Sequence, residues 1–409
     1  MCSSSPPVAL DRSVGSGPAR VPLQIRAGAA SWEELTGIAR RLAAERFVVV
    51  SDRGVPAAHA HRVLHHLGAA APTRLVPVGG TDALGTGDVT AGSVVVALGG
   101  TSVLDAAGPV AARTGLGPLL LPTTLPAVLD TALSLVGPAG PRRVPVLVRA
   151  QLEFLDTLAP GAVRPGLYAL VRNVLAVCPG SFDQVCARLR PDGRYDTSAL
   201  VSFIALCADA RAAMTCYDPL EDGPAGALRY GHAVADALRA LGVGALRYGD
   251  AVAQGLLVAA RCARRMGLLD ADGEAAHREL LARWGAPDAL PAPVTAEDVL
   301  GVLLRPPHGD GPRHGDGPRP GKDPHPGKDP HPGKDPERAL GMVLLDALGQ
   351  PHVRGGRTVT AVAPDVVRDG LQAVAGTADQ LGPRPGGRDR TGTRPGPSSH
   401  VPGTSGPAA

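Results

Sequence analysis

The sequence has few of the features that mark membrane, secreted or nucleic-acid-binding proteins. Aromatic residues make up 3% of its 409 residues, and the formal net charge of +3 is too small to favour nucleic acid or an anionic membrane as a partner. We find no apolar run of the roughly 18–20 residues that a membrane span requires. The first residues lack a basic segment followed by an apolar core, so they predict no secretory signal.

Cysteine is also scarce, with six residues and no CxxC pair. Most of them lie among apolar neighbours, which is typical of buried, reduced thiols. This pattern predicts a cytoplasmic protein without a disulfide framework.

The most informative pattern lies in residues 94–130, VVVALGGTSVLDAAGPVAARTGLGPLLLPTTLPAVLD. Residues 94–98 predict a buried strand, followed by a glycine turn and a helix. Residues 119–121 predict a second strand, parallel and adjacent to the first by the right-handed crossover rule. A glycine turn before a helix can hold a phosphate, because backbone N–H groups point outward and no Cβ blocks the anion. The alternative is a tight turn without a ligand.

The order of elements predicts an α/β fold. Residues 47–50 and 74–78 have strand patterns that flank a helical pattern at 57–67, which favours a parallel, doubly wound sheet. From about residue 151 the apolar spacing becomes helical. The helical segments are 162–177, 181–189, 198–215, 228–241, 250–266 and 274–284.

Composition divides the chain into predicted segments. We predict a disordered tail at 1–20 and another at 377–409, because both are rich in Gly, Pro or Ser. A nucleotide-binding α/β domain is predicted at 21–150. The helical domain is predicted from two stretches, 151–305 and 337–376. Between them, residues 306–336 are a low-complexity insert of PGKDPH-like repeats, which we predict to lack regular structure.

Several motifs together resemble the 3-dehydroquinate synthase family of sugar phosphate cyclases. In chain order they are GG-x4-D, PTTL-x4-D, FLDTL, LRYGHAVADAL, YGDAVAQG and LGMVLLDALG. The resemblance implies an N-terminal Rossmann-like parallel-sheet domain and a C-terminal all-α domain. It also implies a carbon–oxygen lyase in which NAD transiently oxidises an alcohol, phosphate is eliminated, and an aldol step closes the ring. A divalent metal, zinc or cobalt, would act as the Lewis acid.

The resemblance assigns the NAD contacts to the carboxyl ends of the strands and the residues that follow them. The implied residues are Asp52, Gly99, Gly100, Thr101, Asp105, Thr123, Thr124, Asp130 and Thr157. A Glu and a Lys that the family places near the nucleotide are missing from the short loop between residues 78 and 94, which weakens the assignment.

The family's three metal ligands, one Glu and two His, are only partly retained. By motif alignment they fall on Ala169, His232 and Tyr248, so only the middle ligand is unchanged. Alanine has no donor atom, and a phenol with a pKa near 10 is a poor metal ligand at neutral pH.

Two carboxylates offer a rearranged metal site. Asp236 lies four residues after His232 on one helical face, and Asp250 replaces a family Glu. We therefore predict His232, Asp236 and Asp250 as metal ligands, and Arg172, His232 and Asp236 as catalytic residues. The alternative is that His232 is a relic held by a hydrogen bond.

The resembled family acts on phosphorylated sugars, and arginine suits phosphate through paired N–H donors. Arg113, Arg142 and Arg172 are the predicted anion-binding residues. The oligomeric state is left open, with a homodimer as one option.

Three functions remain at this stage. The first is a divergent sugar phosphate cyclase, with a secondary-metabolic role. The second is a non-catalytic homologue that binds a nucleotide or serves as a partner protein. The third is an NAD-dependent polyol dehydrogenase of the same superfamily.

Overall fold

The computed structural model describes residues 7–80, 88–138, 140–242, 244, 246–305 and 339–375. Its strands are β1 (Val8–Ser16), β2 (Ala19–Ala27), β3 (Arg46–Ser51), β4 (Thr73–Pro77), β5 (Ser93–Gly99), β6 (Leu119–Pro122), β7 (Val136–Gly137), β8 (Gly140–Pro141), β9 (Leu147–Gln151), β10 (Leu340–Val343), β11 (Leu345–Ala347), β12 (Gln350–Pro351) and β13 (Val359–Val362).

The helices fall into a group that flanks the sheet and a later, nearly continuous group. They are α1 (Ala29–Arg41), α2 (Ala57–Gly68), α3 (Thr101–Ala111), α4 (Leu125–Leu129), α5 (Leu152–Asp156), α6 (Pro160–Gly166), α7 (Tyr168–Ala176), α8 (Phe182–Arg188), α9 (Thr197–Thr215), α10 (His232–Ala240), α11 (Tyr248–Arg265), α12 (Ala271–Trp284), α13 (Ala296–Leu303) and α14 (Pro364–Ala375). Short 3₁₀ turns cover Val78–Gly80, Thr131–Leu133, Pro179–Ser181 and Pro224–Arg229.

A seven-stranded sheet in the order β1-β2-β9-β6-β5-β3-β4 forms the first half of the molecule. All neighbouring pairs are parallel except the hairpin of β1 and β2. The predicted adjacency of β5 and β6 is confirmed, with Val96 opposite Leu119 in a parallel register. The predicted α/β fold with a helical second half is also confirmed.

Valine-rich strands build this sheet because both of its faces are covered. Val49 and Val96 lie in one apolar cluster with residues of α1 and α2. Val48 and Val95 point to the opposite face, where they join a cluster shared with α3 and the helical half. The alternation along each strand thus gives the two halves of the molecule a common core on one face of the sheet.

The predicted disordered tail at residues 1–20 is wrong from residue 8 onward. Residues Val8–Ser16 and Ala19–Ala27 form an antiparallel hairpin on the sheet edge. Val14 and Val21 are buried, and the hydroxyl of Thr215 in α9 donates a hydrogen bond to the Gly15 carbonyl. The Ser- and Gly-rich composition suggested disorder, whereas cross-strand pairing and the contact with α9 order the segment.

Helix α9 is long and apolar enough, by length and composition alone, to cross a membrane. In the structure its Phe203 and Ile204 are buried against the rest of the helical half. Its Arg211 is also buried and forms ion pairs inside the protein. A core helix accounts for this pattern.

Two predictions lie outside the described residues. One is the absence of regular structure in the insert at 306–336, and the other is the disordered tail at 377–409. The described part beyond the insert contributes strands β10 to β13 and α14, which packs against α11.

Candidate functional site

The strand connections reverse direction across the sheet between β3 and β5. From β3 the chain runs through α2 to the edge strand β4, and then returns to β5 on the other side of β3 and continues through α3 to β6. Helices α2 and α3 pack on opposite faces of the sheet. The carboxyl ends of two such strands open a crevice in which α/β folds bind ligands. Asp52 follows β3, and Gly100 follows β5, so both predicted cofactor residues lie at this crevice.

The two glycines after β5 have different roles. A Cβ on Gly99 would lie 2.4 Å from Cγ2 of Val103, so packing requires a glycine there. A Cβ on Gly100 would meet only the Thr124 side chain, at an ordinary 3.4 Å, and its φ of −81° suits any residue. Neither packing nor backbone conformation requires Gly100. The open surface therefore suits a ligand that approaches the first N–H groups of α3, which have no partner inside the helix.

The threonines predicted to bind the cofactor surround the same turn. The Thr123 N–H donates a hydrogen bond to the Gly99 carbonyl, and Thr124 precedes α4. The Thr101 and Thr131 hydroxyls lie 3.0 Å apart. These contacts hold the loop after β6 against the loop after β5.

A cleft of about 680 Å³ opens on the helical side of this crevice. Its walls come from α3, the segment after α4, the short β7–β8 hairpin, and helices α6, α7, α9, α10 and α11. Lining residues from the predicted set are Thr101, Asp105, Asp130, Arg142, His232 and Asp236.

Asp130, which lines this cleft, is the centre of a buried ion network. Its carboxylate accepts hydrogen bonds from the Tyr168 hydroxyl at 3.0 Å and from two nitrogens of Arg172, each at 3.2 Å. Arg211 also donates to Asp130, and it pairs with Glu221 through its other nitrogen. Burial alone would raise the pKa of Asp130, but the charges of Arg172 and Arg211 outweigh it and hold the pKa well below its usual range.

This network changes the interpretation of two predicted residues. Asp130, predicted to contact the nicotinamide end of NAD, has both carboxylate oxygens engaged by protein donors. Arg172, predicted to be catalytic, is 1% exposed and donates to Asp130 and Asn173. Asp130 is therefore held at the cleft wall by protein donors, and Arg172 supports it from behind.

His232 lies at the front of the network. Its Nε2 is 3.4 Å from Nη1 of Arg172, and the rings of Tyr168 and Tyr248 pack edge-on against its ring. Burial, followed by the charge of Arg172, lowers the pKa of His232 to about 3. The imidazole is therefore neutral at physiological pH, with a guanidinium beside its Nε2 atom.

The predicted metal ligands do not converge. Asp250 forms a two-pronged ion pair with Arg164, with nitrogen–oxygen distances of 2.7 and 3.0 Å. Asp236 accepts a hydrogen bond from the Tyr248 hydroxyl at 3.2 Å and pairs with Arg239. Within the described residues, no group of three His, Cys, Asp or Glu side chains is placed to hold a metal ion.

The donor set therefore does not fit a zinc- or cobalt-like ion. Ala169 has no donor, and burial together with the neighbouring Asp236 raises the pKa of Tyr248, so its phenol stays protonated. The prediction of a rearranged site from His232, Asp236 and Asp250 is not supported by this geometry, because arginine side chains already neutralise both carboxylates.

Arginines line the remaining wall of the cleft. Arg142 pairs with Asp105 and donates to the Thr131 carbonyl, which fixes the β7–β8 hairpin to α3. Arg229 donates to the backbone carbonyl of Glu221, and Arg247 precedes α11. In the part of the chain that the structure describes, neither Arg229 nor Arg247 forms an ion pair with a carboxylate. Of the predicted anion-binding residues, Arg142 lines the cleft, Arg172 lies behind it, and Arg113 is not among the lining residues.

The sequence reasoning missed Arg211, Glu221, Arg229 and Arg247. One signal was available for Arg211, because it is a charged residue in a largely apolar helix, and such a residue is seldom buried without a partner. Arg229 replaces the Asn of the family's LNxGH pattern, which also marks a change in the cleft.

The comparisons with known proteins agree on one family. The model of the 3-dehydroquinate synthase C-terminal domain matches residues 180–306. The 2-deoxy-scyllo-inosose synthase of Streptomyces lividus is 34% identical over 300 residues, which are 67% of this chain and 78% of that protein. The enzyme of the same name from Streptoalloteichus tenebrarius is 37% identical over 217 residues, which are 50% of this chain and 56% of that protein. The alignment thus spans little more than half of the latter relative.

A solved structure supports the fold. It is a 2-deoxy-scyllo-inosose synthase complexed with carbaglucose-6-phosphate, NAD⁺ and Co²⁺, and it superposes with a TM-score of 0.74. The match covers 88% of this chain and 99% of that one, at 21% identity.

Proposed function

Because this chain belongs to the 3-dehydroquinate synthase-like family of sugar phosphate cyclases, we propose that it binds NAD and a phosphorylated sugar in one cleft without metal-assisted ring closure. It would act as a nucleotide- and sugar-phosphate-binding homologue. The observation that carries this proposal is the ion network of Asp130, Arg172 and Arg211, which engages Arg172, predicted to be catalytic, and Asp130, predicted to contact NAD.

The nucleotide half of the proposal rests on the crevice between β3 and β5. Gly100 leaves room at the N-terminus of α3, and Asp52 follows the neighbouring strand. A pyrophosphate fits the unpartnered N–H groups of a helix start, and a carboxylate at the end of the next strand fits a ribose. When bound, NAD would supply hydride chemistry in the cleft.

The proposed binding of a sugar phosphate rests on the charge of the arginines that line the cleft. Arg142 and Arg239 are neutralised by Asp105 and Asp236, whereas Arg229 and Arg247 form no ion pair with any carboxylate among the described residues of the same cleft. A phosphate monoester, with nearly two negative charges at neutral pH, matches the charge of two such arginines. The structure with carbaglucose-6-phosphate supplies a suitable probe.

The second candidate is the cyclase activity itself, a carbon–oxygen lyase of secondary metabolism that uses NAD for phosphate elimination and aldol closure. The identity of 34% to a synthase across 78% of its length favours it. A polyol dehydrogenase rests on the superfamily alone, and the PTTL and FLDTL motifs count against it. The cytoplasmic location stays a prediction.

Calorimetric titration with NAD, and then with carbaglucose-6-phosphate in the presence of NAD, tests the binding function. We expect saturable binding of both ligands to the wild-type protein. We expect the Arg247→Gln variant to keep its NAD affinity and to lose at least tenfold in affinity for the sugar phosphate. A phosphate-release assay with glucose 6-phosphate, NAD and Co²⁺ or Zn²⁺ separates the candidates. Turnover would establish the cyclase and overturn the non-catalytic role, whereas no NAD binding would overturn both.

The metal content needs a matched control. His61 and His65 lie four residues apart on the exposed face of α2, a spacing that binds Zn²⁺ weakly on helices. Zinc analysis should therefore compare the untagged protein with a His61→Ala/His65→Ala variant. We expect no zinc in that variant, and one equivalent of tightly held zinc would contradict the proposal.

A further inference from the structure

His59 and Thr157 join two parts of the chain that are far apart in sequence. His59 lies in the first turn of α2, and its Nε2 is 2.9 Å from the Thr157 hydroxyl oxygen, just after α5. The imidazole also packs edge-on against Phe154, with ring centroids 4.9 Å apart. His59 is half-buried, so part of its ring remains accessible.

The order of strands places this pair over the crevice. Helix α2 follows β3, and α5 follows β9, while β5 and β6 lie between β3 and β9 in the sheet. A hydrogen bond between the two helices therefore crosses the carboxyl ends of β5 and β6. Gly100 and Thr123 follow those same ends, so His59 lies at the edge of the sheet where the loops after β5 and β6 begin.

The hydrogen bonds determine the tautomer of His59. The Thr157 hydroxyl has one proton, which it donates to the Phe154 carbonyl at 3.0 Å. The hydroxyl oxygen must then accept from His59, so the proton of the ring is on Nε2. Burial lowers the pKa of His59, which keeps the ring neutral near pH 7. The Nδ1 atom is consequently the acceptor that remains.

We propose that His59 contacts the bound dinucleotide and that its Nδ1 accepts a hydrogen bond from a ribose hydroxyl. This inference rests on the proposed NAD binding and adds a specific residue to it. A ribose hydroxyl is the appropriate donor, because the riboses flank the pyrophosphate on both sides and the pyrophosphate fits at Gly100. Loss of one such hydrogen bond corresponds to roughly a tenfold loss of affinity.

The test is calorimetric titration of the full chain with NAD and with ADP-ribose, which retains both riboses and lacks nicotinamide. His59→Phe keeps an aromatic ring against Phe154 and removes both ring nitrogens. We expect it to weaken both ligands about tenfold. His61→Phe, on the same helix but exposed, is the matched control and should bind as the wild type does. Equal melting temperatures establish that the variants fold alike.

A double-mutant comparison with Thr157→Val separates contact from positioning. A direct contact predicts that His59→Phe weakens binding in the Thr157→Val background as well. An effect that disappears in that background would make His59 only a positioning residue and overturn the contact. Unchanged affinity of His59→Phe, or a loss seen with NAD but not ADP-ribose, would also overturn it. A wild-type protein that binds no NAD would overturn the proposed function itself.

Discussion

The nucleotide crevice and the helical side of the cleft adjoin each other, and they differ in how their groups are engaged. The crevice consists of a glycine turn, small side chains and helix N–H groups that are open to a ligand. On the helical side, Arg172 and Arg211 both pair with Asp130, and all three residues are almost fully buried. One half of the candidate site thus leaves backbone groups open, whereas in the other half the charged side chains are engaged inside the protein.

The largest expected effect comes from a substitution that breaks the buried ion network. Asp130→Asn leaves Arg172 and Arg211 without their shared countercharge, so we expect the free energy of unfolding to fall by about 3–5 kcal/mol. Urea denaturation measures this. The control is Asp236→Asn, since Asp236 is 56% exposed in its pair with Arg239 and should change stability by less than about 1 kcal/mol. Equal losses in the two variants would contradict the structural role of the network.

The pH dependence of stability also distinguishes the helical half from the crevice, because the helical half contains neutral buried imidazoles. His277 is fully buried, bonds to Tyr230 and the Gly273 carbonyl, and has its pKa lowered by burial to about 4. In the unfolded chain its pKa is near 6.5, so only the unfolded state takes up the proton between these values. Stability from this group is complete above pH 6.5 and falls by up to about 3 kcal/mol toward pH 4.

Chemical denaturation at several pH values tests this dependence. His277→Asn removes the titrating group while retaining an acceptor for the Tyr230 hydroxyl. We expect a flatter stability profile between pH 6.5 and 4 than in the wild type. His232 titrates with the same sign, so part of the slope should remain. Identical slopes would refute the contribution of His277.

The next effect tests the crevice. Gly100→Val places a branched side chain where the pyrophosphate would approach, so NAD affinity should fall at least about 100-fold while the melting temperature stays nearly constant. Gly99→Ala is the contrasting variant. Its Cβ would overlap Val103, so it should destabilise the fold by about 1–3 kcal/mol. Normal NAD binding by Gly100→Val would remove the phosphate site from this turn.

The smallest expected effect is a gain of function. Ala169→Glu combined with Tyr248→His supplies the two donors that the family pattern has and this chain lacks. We expect the double variant to bind about one equivalent of zinc beside His232, measured by elemental analysis in the His61→Ala/His65→Ala background. If the variant gains no bound zinc, the backbone or Arg172 blocks the metal site. The missing donor atoms alone would then not explain why the helical side of the cleft does not fit a metal ion.

Local signals in the sequence were sufficient for much of the α/β half. The valine runs of β3 and β5 predicted buried parallel strands, and the glycine turn predicted the start of α3, because strand burial and glycine turns depend on neighbouring residues. The motifs were also sufficient to identify the family, since their order and spacing extend over most of the chain. Composition failed at Val8–Ser16, where hairpin pairing with the next strand and the contact with Thr215 of α9 outweighed the polar, glycine-containing sequence.

Only the tertiary structure decided which charged groups are free. From the sequence, Asp130 was assigned to NAD, and Asp236 and Asp250 were assigned to a metal ion, with no sign that arginines would engage all three. Arginines on other elements, such as Arg211 in α9 and Arg164 in α6, approach only when the helices pack. A carboxylate's availability depends on the charges within a few ångströms of it, and spacing along the chain carries no information on those neighbours.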